Sequence, residues 1–297
     1  MRRTTERTCP ILRAPVFRPP ACFSKPLRLA SRLPIVLAMA LASCASPATG
    51  PFESDSRLGE IRSVSCEGAY PRHLQGICTN RRDSIYWSFT DVLVRTDTAG
   101  RMIHRVDVAS HHGDLCLHKG RVYVAVNLGA FNQPPGREDT WVYVYDGESL
   151  DALARHPTPE LVHGAGGIAW QGDSFIVVGG LPEGTDENYL YEYDESFTFR
   201  KRHVLPSGHT DKGIQTAAFV AGHWWFGCYG TPRVMLQADP SFALVGRFEF
   251  DCALGITDLP DGRALVANNR RQADGYVAWA QVAVVDEQRG FRFLDAE

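Results

Sequence analysis

A unit of 45 to 49 residues recurs five times along this chain, and this recurrence constrains the fold more than any other feature. Each copy contains a run rich in β-branched and aromatic residues that ends in an aspartate. The five aspartates are Asp97, Asp146, Asp194, Asp239 and Asp286, which lie 49, 48, 45 and 47 residues apart. Aspartate favours the first position of a turn because its carboxylate accepts hydrogen bonds from nearby backbone N–H groups. The spacing therefore predicts a strand end and a turn at the same point of every copy.

Short strands are predicted around each of these turns. Every copy opens with an apolar residue that follows a small or polar one: Gly76-Ile77, Asp114-Leu115, Gly167-Ile168, Gly213-Ile214 and Gly255-Ile256. The predicted second strands are 85–89, 122–126, 175–178, 224–228 and 264–267. The third strands, which run into the aspartates, are 92–96, 141–145, 189–193, 234–238 and 281–285. A fourth strand follows in the same phase, at 102–108, 200–205 and 245–250.

Four short strands per repeat of this length, without a convincing amphipathic helix, resemble the blades of a β-propeller. We therefore predict an all-β, five-bladed β-propeller of four-stranded blades that occupies residues 58–297 as a single domain. Residues 61–66 precede the first copy and resemble a fourth strand. We expect this N-terminal strand to pair in the last blade and close the ring, so that no sheet edge is left open.

The N-terminus has the features of an export signal. Eight Lys or Arg residues and one acid precede position 33, and eleven uncharged residues follow as far as Ser43. A basic region, a short apolar core and small residues are typical of a secretory signal, and the core is too short for a membrane span. Leu41-Ala42-Ser43-Cys44 resembles the lipobox of bacterial lipoproteins, which implies cleavage after residue 43 and acylation of Cys44. Ala45 follows Cys44, and in that family this favours the outer membrane.

The resulting organisation is a removed signal peptide (1–43), a flexible tether (44–57) and the propeller. Several acyl chains on Cys44 would hold the domain on a bacterial membrane, facing the periplasm or the cell surface. The chain from Cys44 onward has 23 basic and 33 acidic side chains, a formal charge of −10. Because an acidic surface repels phosphate backbones, nucleic acid is not an expected partner.

In a propeller, the first strand of each blade lines the central channel. Glycine occupies the opening position of four copies, and Asp114 that of the second. Asp114 is either a functional carboxylate or a structural acceptor for backbone N–H groups. Alternation extends the channel-facing set to Cys78, Cys116, Ala169, Gln215 and Thr257. Five cysteines besides Cys44 remain in the mature chain, an odd number, and their spacing does not assign disulfide pairs among Cys66, Cys78, Cys116, Cys228 and Cys252.

Half of the ten histidines lie in the segments that enter the first strands, which share one mouth of the channel: His73, His111, His112, His163 and His209. Converging imidazoles suit a divalent cation, and they also suit acid–base chemistry near neutral pH. We predict His111, His163, His209 and Gln215 as ligands of Zn, Mn, Fe or Ca. We assign catalytic roles to His73, His112 and Asp114. Each histidine has the alternative role of bonding to backbone.

The loops between second and third strands meet at the same mouth. Amides and arginines around a cavity suit a small polar or carbohydrate ligand. The predicted ligand-binding residues are Gln75, Asn127, Arg233, Asn268 and Arg270.

Two functions follow from this pattern. The first is a metal-assisted hydrolase or lyase that acts on a glycan-like substrate, in which the cation activates water or polarises an oxygen. The second is a non-catalytic lipoprotein that binds a ligand or a protein partner. No motif of a particular enzyme family is present, and propellers carry many unrelated functions. If His111, His163 and His209 do not converge, the binding hypothesis is favoured.

Overall fold

A computed structural model describes residues 57–294. The predicted signal peptide, the lipobox with Cys44 and all of the tether except Arg57 lie outside the described residues. Five separate antiparallel sheets form the blades of a five-bladed β-propeller, as the repeat predicts. Two single-turn 3₁₀ helices, Arg57–Gly59 and Pro260–Gly262, complete the described secondary structure. No helix within residues 57–294 has both the length and the apolar character needed to cross a membrane.

The strands follow the same order in every blade. The inner strands are β2 (Leu74–Thr79), β6 (His112–His118), β10 (Ala165–Gln171), β14 (Asp211–Val220) and β18 (Ile256–Asp258). The second strands are β3 (Ser84–Phe89), β7 (Arg121–Asn127), β11 (Ser174–Gly179), β15 (His223–Tyr229) and β19 (Ala264–Gln272). The third strands are β4 (Val92–Asp97), β8 (Thr140–Asp146), β12 (Asn188–Tyr193), β16 (Val234–Ala238) and β20 (Gly275–Asp286). The outer strands of the first four blades are β5 (Met102–Asp107), β9 (Ala152–Pro157), β13 (Phe199–Leu205) and β17 (Leu244–Phe248).

The N-terminal strand closes the ring, and it does so together with the C-terminal strand. In the fifth blade, β1 (Ser63–Ser65) pairs with β20 at residues 279–281. The last strand, β21 (Gly290–Phe293), pairs with the same edge of β20 further along, at residues 283–286. The two chain ends therefore share the outer position of this blade. This arrangement covers an edge strand that would otherwise expose unpaired backbone groups.

The five repeated aspartates act as predicted. In each case Oδ1 accepts a hydrogen bond of 2.8 to 2.9 Å from the backbone N–H two residues further on. These bonds fix the turn between the third and outer strands. They also contribute to holding the pKa of each of these carboxyls below its ordinary value.

The hydrophobic core is divided into five clusters, one at each interface between neighbouring blades. Side chains alternate between the two faces of a blade, so neighbours in sequence enter different clusters. Trp224 lies in the cluster between blades 3 and 4, whereas Trp225 lies in the cluster between blades 4 and 5. Cys78 lies in the cluster between blades 1 and 2, and Cys116 lies in the cluster between blades 2 and 3. Both residues also line the channel near the ends of the inner strands.

The five cysteines of the described chain are Cys66, Cys78, Cys116, Cys228 and Cys252, all buried free thiols. Burial raises the pKa of every one of them, to about 12 for Cys66 and Cys228. The thiols are therefore neutral near pH 7 and serve as small apolar side chains.

The phase predicted for the fourth blade was wrong by three residues. The pairing Thr216–Gly227 is equivalent to Gly76–Ser88 in the first blade, so Thr216 and not Gly213 occupies the opening position. Two register shifts in β14 cause the difference, because they insert extra residues before Thr216. Gly213 has a φ of +73° in this distorted segment. Gln215 consequently lies at one mouth of the channel, not at the level of Cys78 and Cys116.

Candidate functional site

A cavity of about 1150 Å³ opens at the mouth of the ring where the inner strands begin. All five blades contribute to it. Its floor consists of one residue from each inner-strand segment: Gln75, Gly113, Gly166, Gln215 and Leu254. A Cβ added to Gly113 would lie 2.3 Å from the carbonyl oxygen of Gly166, and one added to Gly166 would lie 2.7 Å from that of Ile214. These glycines let neighbouring inner strands approach closely at the axis.

Asp114 lies just below this floor and does not line the cavity. Its side chain is fully buried, and Oδ2 accepts a hydrogen bond of 3.1 Å from the backbone N–H of Ala217. Oδ1 has no hydrogen-bond partner among the described residues. Burial raises the pKa of Asp114 well above its ordinary value, although nearby backbone N–H groups oppose the shift. This position favours the structural-acceptor alternative over a catalytic role that requires contact with substrate.

Asp114 also explains a neighbouring glycine. A Cβ on Gly76 would lie 2.2 Å from Asp114 Oδ1, which is closer than any real contact. The Asp114 side chain therefore occupies the space on the channel axis that a side chain at position 76 would need.

A cluster of three side chains stands at the wall formed by blades 1 and 2. Gln75 Nε2 lies 3.0 Å from His73 Nε2 and 2.7 Å from His111 Nε2. It also lies 3.2 Å from Thr90 Oγ1. The amide nitrogen donates and both imidazole nitrogens accept, so its two hydrogens are shared among these three acceptors. We refer to His73, Gln75 and His111 as the imidazole cluster.

Both imidazoles of this cluster are neutral near pH 7. Desolvation lowers the pKa of His73, and the positive charges of Lys212 and Arg72 add to the effect. Desolvation also lowers the pKa of His111, with the charge of His73 as the next cause. A neutral ring that accepts at Nε2 carries its proton on Nδ1. Neither Nδ1 atom has a hydrogen-bond partner in residues 57–294, so both N–H groups are available to a ligand.

Blade 4 supplies the opposite wall. The ammonium of Lys212 lies 5.6 Å from the centroid of the Tyr229 ring, and the Arg233 guanidinium lies 4.9 Å from it. Arg233 also forms an ion pair with Asp251 at 3.5 Å. Desolvation raises the pKa of Tyr229 to about 12, so its hydroxyl keeps its proton. Gln215 holds this segment in place by donating a 2.7 Å hydrogen bond to the carbonyl oxygen of Lys212.

Amides and aromatic rings complete the lining. Asn127 donates to the carbonyl oxygen of Gly129 at 2.9 Å, and its Oδ1 is buried without a partner in the described chain. Phe131 lies on the same side, and Tyr276 approaches His73 with ring centroids 6.0 Å apart. Asn269 accepts a bond from the backbone N–H of Leu74. The cavity thus combines polar groups with aromatic surface.

The four predicted metal ligands do not converge. His111 and Gln215 line the cavity, but His163 and His209 do not. His163 Nδ1 bonds to the carbonyl oxygen of Gln133 at 3.0 Å, and His209 Nδ1 bonds to that of Thr185 at 3.0 Å. Within residues 57–294, no three His, Cys, Asp or Glu side chains are grouped closely enough to hold a metal ion. Among the described side chains, the predicted ligands are therefore not gathered into one group.

His112, which we predict to be catalytic, is fully buried behind the cavity. Its Nδ1 donates to the carbonyl oxygen of Ala109 at 2.6 Å, and its Nε2 accepts from the Tyr145 hydroxyl at 2.7 Å. Desolvation lowers the pKa of His112 to about 4. With both nitrogens bonded inside the protein, His112 has no group left for a substrate.

The predicted ligand-binding residues divide in a similar way. Gln75, Asn127 and Arg233 line the cavity, whereas Asn268 and Arg270 do not. Asn268 donates to Asp251 at 3.2 Å, and Arg270 lies exposed beyond it on β19. Asn269 takes the place in the lining that we predicted for its two neighbours, because alternation along a strand turns adjacent side chains to opposite faces.

Lys212, Tyr229 and Tyr276 belong to the site and were absent from the predicted set. Lys212 lies in the segment that enters the inner strand of blade 4, and Tyr229 lies at the loop between the second and third strands of that blade. Both could therefore have been predicted from their positions in the repeat. Tyr276 belongs to the extended start of β20, which the repeat does not predict.

Comparison by sequence matches this chain to no protein family and to no curated protein. Among solved structures, Myxococcus xanthus glutaminyl cyclase matches 76% of this chain and 99% of its own, at 13% identity and a TM-score of 0.50. A Bacteroides caccae protein of unknown function matches 66% of this chain and 71% of its own, at 12% identity and a TM-score of 0.41. At these identities, the likeness to the cyclase shows a shared fold alone, and the lower-scoring match supports no argument.

Proposed function

We propose that this protein is an extracytoplasmic lipoprotein whose propeller binds a small polar ligand in the cavity at the mouth of the ring. The observation that carries this proposal is the imidazole cluster. Gln75 holds two neutral imidazoles from different blades at the wall of one cavity, through contacts of 3.0 and 2.7 Å. This arrangement orients two N–H donors, and oriented donors in a cavity are what recognition of a polar ligand requires.

The cavity suits a ligand of about one or two sugar rings. Its volume of about 1150 Å³ is slightly above the usual range of roughly 300 to 1000 Å³ for small-molecule sites. Amide groups of Asn127, Asn269 and Gln215 can bond to hydroxyls, and the Phe131 and Tyr276 rings provide apolar surface for a sugar face. Hydroxyl-rich ligands need both kinds of surface.

The proposed location rests on the N-terminal sequence. The lipobox at residues 41–44 and the polar tether up to residue 57 support anchoring of the propeller by acyl chains on Cys44. A bacterial outer membrane is the favoured site, with the cavity open to the periplasm or the surroundings of the cell. The formal charge of −10 after Ser43 argues against nucleic acid as the ligand.

Binding is proposed ahead of catalysis because the predicted catalytic and metal-binding side chains do not meet. His112 and Asp114 lie in the interior, and His163 and His209 bond to backbone carbonyls. A metal-assisted hydrolase or lyase on a glycan-like substrate stays a prediction from the sequence, without support from this geometry.

Titration calorimetry on the full-length chain tests the proposal. The ligands are neutral monosaccharides, neutral disaccharides and sugar acids, and the variants are Gln75→Leu and Gln171→Leu. We expect at least one compound to bind, and Gln75→Leu to weaken it about tenfold or more, because both imidazoles lose the amide that orients them. Gln171 is exposed at the opposite mouth of the channel, so Gln171→Leu should bind normally.

Two outcomes contradict the proposal. One is that no compound of the panel binds the unmodified protein. The other is that the two leucine variants weaken binding equally, which would place the ligand outside this cavity.

A further inference from the structure

We infer that the ligand carries a carboxylate, which Lys212 and the imidazole cluster bind, and that sugar acids and similar hydroxycarboxylates are its chemical class. This inference rests on the proposed function and narrows it. It comes from the balance of charges and hydrogen-bonding groups that the cavity leaves unused.

Lys212 is the first observation. Its ammonium lies over the Tyr229 ring, and it forms no ion pair with any carboxylate in residues 57–294. Asp211, its neighbour in sequence, also lines the cavity but does not pair with it. The other cation, Arg233, is already matched by Asp251. A charged side chain that faces a cavity without a partner has its full attraction available to a ligand of opposite sign.

The electrostatic reach of Lys212 across the cavity is the second observation. Its positive charge contributes to lowering the pKa of His73, which belongs to the opposite wall. The ammonium and the imidazole cluster also line one cavity, so a single ligand can contact both.

The third observation is a set of unused donors. The His73 and His111 Nδ1–H groups, the Lys212 ammonium and the Tyr229 hydroxyl have no hydrogen-bond acceptor within the described part of the chain. The cavity also has side-chain acceptors without partners in the described chain, namely the amide oxygens of Gln75, Asn127 and Gln215 and the exposed Asp211 carboxylate. A carboxylate is acceptor-only, and its two oxygens can satisfy several donors at once.

The amount of charge favours a carboxylate over a phosphate. Both imidazoles are neutral near pH 7, so Lys212 is the only cation that lines the cavity without an ion-pair partner among the described residues. One unpaired ammonium, with the Asp211 carboxylate in the same cavity, matches a singly charged group better than a doubly charged one. A phosphate monoester carries a charge of about −1.5 to −2 at pH 7, and Arg233, the other cation of the cavity, is already paired with Asp251.

Matched pairs of ligands test the inference on the full-length chain at pH 7. The pairs are glucuronate with glucose and galacturonate with galactose, and glucose 6-phosphate is the phosphate probe. Affinities are measured by calorimetry for the unmodified protein, for Lys212→Met and for Lys201→Met. Methionine keeps most of the apolar stem and removes the charge. Lys201 is exposed on the outer strand β13, so Lys201→Met is the matched control.

We expect an acid to bind on the order of tenfold to a hundredfold more tightly than its neutral partner, as for hydrogen bonds to charged groups. Lys212→Met should reduce that ratio to near one, and Lys201→Met should leave it unchanged. Thermal unfolding of Lys212→Met, whose side chain is exposed in the folded protein, checks that the variant is folded.

Two results would overturn the inference while the proposed function stands. Neutral and acidic sugars could bind equally, with Lys212→Met weakening both to the same extent. Glucose 6-phosphate could bind more tightly than either acid. If no compound binds at all, the proposed function itself fails, and the two failures are thereby distinguished.

Discussion

Histidines enter the inner strands of four blades at similar places, but they take on two different tasks. In blades 1 and 2, His73 and His111 meet at the side chain of Gln75 and face the cavity. In blades 3 and 4, His163 and His209 bond to the carbonyl oxygens of Gln133 and Thr185.

Gln133 and Thr185 belong to the long loops of blades 2 and 3. Each of these two histidines therefore fastens the loop of the preceding blade. Repeat position therefore determines where a histidine lies in its blade. Its hydrogen-bond partner determines whether the ring faces the cavity or holds a loop.

The largest expected effect concerns His112, whose nitrogens are both bonded inside the protein. Its pKa of about 4 lies below the unfolded value of about 6.5. A lowered histidine pKa means that the unfolded chain binds the extra proton first, so stability is lost as the pH falls from 6.5 towards 4. The shift corresponds to about 3 kcal/mol of the free energy of unfolding.

Urea unfolding of the full-length chain at pH 7 and pH 4.5 measures this loss. His112→Gln should be less stable at pH 7 and should lose less stability between the two pH values. His209→Gln is the control and should keep the dependence of the unmodified protein. If His112→Gln loses as much stability between pH 7 and pH 4.5 as the unmodified protein, the low pKa of His112 does not cause the loss.

The next largest effect is a difference in ligand affinity between the cavity histidines, His73 and His111, and the loop-bonded histidines, His163 and His209. His111→Ala should weaken the best ligand of the sugar panel by about tenfold or more, because it removes one oriented donor and disturbs the other. His209→Ala should change the affinity less than about twofold, since its ring does not line the cavity. Calorimetry at pH 7 gives both values. Equal losses in the two variants would remove the distinction drawn above.

A smaller effect is expected in the long loops. His163→Ala and His209→Ala each remove a hydrogen bond to a loop carbonyl, with a cost of about 1 kcal/mol. The loss should be local, so amide hydrogen exchange should increase in residues 128–139 for the first variant and in residues 180–187 for the second. His73→Ala is the control that should leave both loops unchanged. Exchange that rises across the whole propeller would mean that these bonds stabilise more than the loops.

The smallest expected effect is on metal content. Elemental analysis of protein purified without chelator should give the same Zn, Mn, Fe and Ca content for the unmodified chain and for a double variant with His163→Ala and His209→Ala. Neither imidazole lines the cavity, and no three His, Cys, Asp or Glu side chains of residues 57–294 are grouped closely enough to hold a metal ion. A stoichiometric metal that disappears in the double variant would restore the hydrolase or lyase hypothesis.

Much of the fold could be predicted because it depends on local patterns. The aspartates after the third strands fix turns through bonds that span only two residues. Blade 4 shows the limit of such reasoning, because two register shifts in β14 place Thr216 where the pattern suggested Gly213. Bulges of this kind depend on how a strand pairs with its neighbour in the sheet, and the spacing of residues along the sequence does not reveal that pairing.

The site was predictable only in outline. Gln75, Asn127, Arg233 and both histidines of the imidazole cluster were identified from their positions in the repeat. Asp114 was recognised as exceptional on the channel axis, but its burial below the cavity floor was not visible in the pattern.

By itself, the sequence determined the number of blades, the order of strands and the mouth at which the polar segments gather. These follow from periodicity and turn chemistry, which act over a few residues. Only the tertiary structure decided which histidines share a partner, that Lys212 stays unpaired, and that Asp114 is sealed from solvent. Those outcomes depend on distances of a few ångströms between residues far apart in the chain, and the strength of hydrogen bonds and charges varies steeply over such distances.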